Sequence, residues 1–159
     1  MLYAESYFYK TGKEYMVKAM NIYDGDKTLK NQKFHLKYAN FFKKSGFYVE
    51  ALQRVEKLET EEILDPLFKF RMTRDHARML VILNRTDEAM SFFDKAEEML
   101  ENKEKSLKYG KLKFLRALAS KRISVEKSLE VFTESLEIFE KILKTEQNYY
   151  STQILFEMG

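Results

Sequence analysis

Lys43-Lys44-Ser45-Gly46-Phe47-Tyr48-Val49-Glu50-Ala51-Leu52 reads as the end of one helix, a glycine-capped turn and the start of a second helix. Ala39 and Phe42 precede the turn, and Ala51, Val55 and Leu58 follow it. A small residue is needed where two helices cross closely, and a large apolar one a turn later fills the remaining space. A hairpin of this kind does not bury its own apolar face, so copies of it are expected alongside.

The spacing recurs. Ala77, Leu80, Ala89, Phe93 and Ala96 repeat it downstream, and Ala4, Tyr7, Met16, Met20 and Tyr23 repeat it more weakly upstream. A degenerate copy runs through Arg116, Ala119, Ser128, Phe132 and Ser135, where a slip of one residue puts Ala117 in place of Arg116. The 159-residue chain has one proline, five glycines and no cysteine, and its lysine-rich, methionine-rich composition favours long helices over strands. Without cysteine, disulfides and thiolate metal sites are excluded. No run approaches the roughly 20 apolar residues of a membrane span, and Met1–Glu5 lacks the basic start of a signal peptide. A cytoplasmic location is expected.

In order, helices are predicted over about Leu2–Lys10, ended by Gly12, and Lys13–Tyr23. The turn Asp24-Gly25-Asp26-Lys27-Thr28 has the look of a calcium loop, but His35 stands where such a loop needs its bidentate Glu. Further helices follow over Leu29–Lys44 and Phe47–Glu59. Asp65-Pro66 is an N-cap followed by a first-turn proline, opening a helix to Leu83. Thr86-Asp87-Glu88 caps the next, which ends near Leu100. Lys103–Lys121 and Ser124–Lys144 make a fourth hairpin, with Ser124 as N-cap, and Gln147–Met158 begins a further unit. In this register both ends of the chain fall inside a unit, the pattern of a segment from a longer repeat protein, of one that covers its ends by dimerising, or of a short protein with worn terminal repeats.

Gly46, Tyr48, Glu50 and Ala51, and again Asp87-Glu88-Ala89 with Phe93 and Ala96, resemble the tetratricopeptide repeat. Periods of 38 and 39 exceed the usual 34 residues of that repeat, as in divergent, TPR-like domains. Leu67-Phe68-Lys69-Phe70-Arg71-Met72 and Lys111-Leu112-Lys113-Phe114-Leu115 look like the C-terminal sensor domains of Gram-positive peptide-pheromone receptors, which are bacterial transcription regulators. The resemblance implies an all-α fold, a right-handed α-solenoid of about four TPR-like hairpins. It is one domain over 1–159, with units at about 1–28, 29–64, 65–102 and 103–145 and a partial unit at 146–159.

Charge sorts by helix. Leu29–Lys44 holds five lysines and no acid, Lys103–Arg122 eight bases against one acid, and Asp65–Leu83 four bases against two acids. Thr86–Asn102 holds six acids against one lysine, and Phe47–Glu62 five acids against two bases. The resemblance implies that first helices line a concave groove and second helices form its back, so the groove is expected to be basic. Lys33, Lys37, Asn40 and Lys44 share one helical stripe, and Arg71, Arg74 and Arg78 share another. These seven residues, with Lys113 in the fourth unit, are the candidate peptide-binding residues. Arg supplies planar donors for carboxylates, and the Asn40 amide can both donate to and accept from a peptide backbone. The competing view is that these bases are surface decoration paired with neighbouring acids. Of the chaperone-tail clamp found in tetratricopeptide cochaperones, only Asn40 matches. Leu36, Asp75, Gly110 and Phe114 stand where its other polar residues belong.

His35 and His76 fall on apolar stripes, the setting of packed histidines, and no zinc spacing, phosphate loop or nucleophile elbow occurs. The expected function is a non-catalytic protein- or peptide-binding module without cofactor, whose ligand is acidic or carries a free carboxylate. Two alternatives stand beside it. One is a dimerising sensor or scaffold segment of a larger peptide-responsive transcription regulator. The other is nucleic-acid binding by the basic helices, against which stands a net charge of only +3.

Overall fold

The computed structural model describes residues 2–23, 29–59, 65–101, 106–143 and 149–158, with side chains from Lys10 onward except those of 20, 22, 23 and 29–31. The described residues form eight helices and no strand: α1 (Leu2–Tyr23), α2 (Leu29–Lys44), α3 (Tyr48–Glu59), α4 (Pro66–Ile82), α5 (Thr86–Glu98), α6 (Leu107–Ser120), α7 (Val125–Leu143) and α8 (Tyr149–Met158). The fold is all-α. Among the described residues no helix is long and apolar enough to cross a membrane. The calcium-like turn at 24–28 lies outside the described residues. Packing divides the chain into two compact units, Met1–Met72 and Thr73–Gly159, with the division inside α4.

In the first unit α2 and α3 form the hairpin expected around Gly46. Ala39, Phe42, Ala51, Val55 and Leu58 are all buried, and the Phe42 ring stacks on Tyr38 at 4.4 Å. Gly46 adopts φ 82°, while its N–H donates to the Lys43 carbonyl (3.3 Å) and the Phe47 N–H to that of Phe42 (2.9 Å). This pair of bonds satisfies carbonyls that the helix end would otherwise orphan.

The first 23 residues depart from expectation. Instead of two helices broken at Gly12, α1 is one helix of 22 residues. Gly12 serves packing rather than capping, because a Cβ there would stand 2.8 Å from the Phe41 ring. A glycine inside a helix weakens it by roughly 1 kcal/mol relative to alanine, which the neighbouring turns and the contact with Phe41 override here.

The second unit repeats the α2–α3 turn 38 residues on. Ala77, Leu80, Ala89, Phe93 and Ala96 are buried, and Asn84 takes φ 62° at the position equivalent to Gly46. The capping bonds are the same, Asn84 N–H to Val81 (3.1 Å) and Arg85 N–H to Leu80 (2.8 Å). Asp65 caps α4 as expected, its Oδ1 accepting the Leu67 and Phe68 N–H groups at 2.9 and 3.3 Å. At α5 the cap moves by one residue. Arg85, not Thr86, is the N-cap, without a side-chain capping bond, and its guanidinium clasps Glu88 at 2.7 and 2.6 Å.

The α6–α7 pair meets through small residues as well. Gly110 and Ala117 face α7, and the buried Ser128 and Ser135 hydroxyls donate to the Ala117 and Gly110 carbonyls at 3.0 and 2.9 Å. Ala117 therefore holds the crossing position, while Arg116 points into a polar cluster. The turn has no left-handed residue; the Ile123 and Ser124 N–H groups both reach the Ser120 carbonyl at 2.8 Å. The Ser124 hydroxyl accepts the Lys127 N–H (3.3 Å) and caps α7. Helix α8 closes this core through Ile154 and through Tyr150, stacked on Phe139 at 4.6 Å.

A polar seam ties α5, α6 and α7. Arg116 reaches Asp94 (2.7 Å) and Glu97 (3.3 Å), Lys113 reaches Glu134 (2.9 Å) and Glu97 (3.7 Å), and the Tyr109 hydroxyl donates to Glu97 (3.1 Å). Burial alone would push the Lys113 ammonium down. Its bonds to Glu134 and Tyr109 and the charge of Glu97 outweigh that, so its pKa lies above the ordinary lysine value.

Gly46→Ala is expected to lower unfolding stability by about 1–2 kcal/mol through left-handed strain alone, since open space surrounds its missing Cβ. Gly110→Ala meets the Phe139 ring at 3.1 Å and should cost about 1–3 kcal/mol by overpacking. Urea denaturation measures both. The raised Lys113 pKa gives stability fully present below the unfolded-state value of about 10.4 and lost as pH rises through the folded value. The difference in Tm between the native chain and Lys113→Met should hold constant at neutral pH and shrink in strong alkali.

Candidate functional site

The second unit carries an open cleft of about 530 Å³. Helical periodicity places Arg74, Arg78, Val81 and Ile82 of α4 on its wall, and Lys111, Phe114, Leu115 and Leu118 of α6 at i, i+3, i+4 and i+7. Tyr149, Tyr150 and Gln153 of α8 form the far side, and Phe93 of α5 reaches the floor. The three helices that build most of the wall are those expected to be first helices of their units.

Apolar side chains and three cations line the cleft together. The Arg74 guanidinium holds Asp75 through Nε (3.3 Å) and Nη2 (3.0 Å), and the Asp75 side chain is 8% exposed. The Lys111 ammonium lies 4.7 Å from the centroid of the Tyr150 ring, a cation–π contact that fixes it beside the cleft. Arg78 is exposed and makes no ion pair among the described residues. Three cations face one carboxylate, so the cleft attracts negative charge, and its apolar floor lowers the local dielectric and strengthens that attraction.

Of the residues expected from sequence, Arg74 and Arg78 line this cleft. Lys113 does not. It faces the α5–α7 seam and is bound there by Glu134 and Glu97. Lys111, two positions earlier, takes the place expected of it. The signal was in the sequence: Phe114, Leu115 and Leu118 define the cleft face of α6, and Lys111 completes their i, i+3, i+4, i+7 pattern. Lys33, Lys37 and Lys44 stand exposed in the first unit on one stripe of α2, with half-buried Asn40 among them. Among the described residues none of these three lysines has an ion-pair partner. Arg71 is exposed on the part of α4 that belongs to the first unit.

A second, shallower hollow of about 620 Å³ lies in the first unit between Lys10, Lys13, Val17 and Lys18 of α1 and Phe47. Lys13 sits 4.3 Å over the Phe47 ring and pairs with Glu50 at 3.0 Å. Sequence reading missed this hollow because it depends on α1 being continuous. His35 and His76 are buried. The first shares a hydrogen bond of 3.2 Å with Arg54, and the second stacks on Phe92 at 3.8 Å. Both are packed histidines.

No protein-family model matches the chain, and no curated protein matches it by sequence. Among solved structures it is similar to the crystal structure of BtubC (BKLC) from P. vanneervenii, with a TM-score of 0.57 and 21% identity over 97% of this chain. The chain spans 63% of that protein's length. At this identity the likeness shows an all-helical fold and nothing about activity.

Proposed function

We propose that this chain is a non-catalytic protein- or peptide-binding module of cytoplasmic, TPR-like type, a right-handed solenoid of stacked hairpins. Its ligand is an acidic segment or one with a free carboxylate. The observation that carries this reading is the second-unit cleft, where Arg74, Arg78 and Lys111 stand over an apolar floor. Such a floor with a few convergent charges suits a ligand that brings both apolar surface and negative charge. The exposed lysine stripe of α2, Lys33, Lys37 and Lys44, supports a second basic contact in the first unit.

A second reading, a dimerising sensor or scaffold, draws on α8, whose Tyr149, Leu155 and Phe156 are 73%, 55% and 83% exposed. Light scattering separates the two, because a strict monomer at high concentration removes the dimer.

The binding reading is tested with Arg78→Glu combined with Lys37→Glu. Both residues are exposed, so far-UV circular dichroism should be unchanged. Anisotropy of a fluorescein-labelled glutamate-rich peptide should show binding weakened at least tenfold, and unchanged affinity would sink the proposal.

A further inference from the structure

The shape of the second-unit cleft selects the conformation of its ligand, and we infer that it takes an amphipathic helix of a partner protein, with an apolar stripe flanked by carboxylates. This rests on the binding reading above and narrows it. The cleft runs along α4 from Arg74 to Ile82, about 12 Å at 1.5 Å per residue, and along α6 from Lys111 to Leu118, about 10.5 Å. A helix places side chains i, i+4 and i+7 on one face within about 10.5 Å, so three anchors fit that length. An extended strand covering 12 Å has about four residues and turns only two of them inward.

The volume agrees with three anchors. One leucine leaves an engineered cavity of about 150 Å³, so 530 Å³ admits about three large apolar side chains. Charge agrees as well. Arg78 and the Asp75-bound Arg74 stand on the α4 wall, and Lys111 of α6 holds its ammonium against the Tyr150 ring of α8, so three cations and one carboxylate border the apolar surface. A ligand helix with glutamates flanking its leucine stripe matches those cations, and one with lysines there is repelled.

The test uses the full chain and a fluorescein-labelled 14-residue helical peptide with leucine at its positions 4, 8 and 11 and glutamates flanking that stripe. Controls are a scrambled peptide of the same composition and a peptide with proline at position 8. The expected result is binding at least tenfold tighter than either control, a gain of helical circular dichroism on binding, and loss of that preference in Arg78→Glu/Lys111→Glu. If the scrambled and proline peptides bind as well as the parent, the helical ligand is overturned while acidic binding stands. If no glutamate-bearing peptide binds, the acidic-ligand reading falls and the inference with it.

Discussion

Close helix crossing through residues no larger than alanine or serine is the constraint on which each hairpin depends. Ala39 with Ala51, Ala77 with Ala89 and Ala96, and Gly110 with Ala117, Ser128 and Ser135 are all buried where paired helices meet. Small residues there let the large ones a turn away, Phe42, Phe93, Phe132 and Phe139, fill the space to native density. At the α6–α7 crossing the serine hydroxyls donate to backbone carbonyls of α6, and these bonds offset the cost of burying them.

That packing also decides which charges are available to a ligand. A cation beside the crossing is drawn toward the acids of the neighbouring second helix, as Lys113 and Arg116 are toward Glu97, Asp94 and Glu134. A cation on the opposite side of the same helix, such as Lys111, faces the cleft. Two residues of sequence separate the two fates, because 200° of helical rotation separates their side chains. Arg74 is intermediate, lining the cleft while bound to Asp75, which leaves Arg78 as the more available guanidinium.

The two left-handed turns illustrate a different kind of economy. Gly46 and Asn84 hold equivalent positions with the same pair of capping bonds, although only one is glycine. Asparagine is among the few non-glycine residues that tolerate this conformation, and the Asn84 side chain also accepts a bond from Arg122 at 3.1 Å, linking this turn to the α6–α7 turn. Gly12 and Gly110, by contrast, exist for what a Cβ would strike, the rings of Phe41 and Phe139.

Local chemistry was readable directly. The all-α class, the α2–α3 and α4–α5 hairpins, the caps at Asp65 and Ser124 and the segregation of basic from acidic helices followed from spacing, turn residues and composition alone, since each depends on neighbours within one or two turns. Tertiary structure decided what depends on distant partners. Gly12 could not be told from a cap without knowing that Phe41 lies against it, so α1 was expected to break where it is continuous. The choice of Ala117 over Arg116 and of Lys111 over Lys113 waited on which face of α6 meets α7. A charge pattern names the helices that carry cations, but only packing says which of those cations an acid has already claimed.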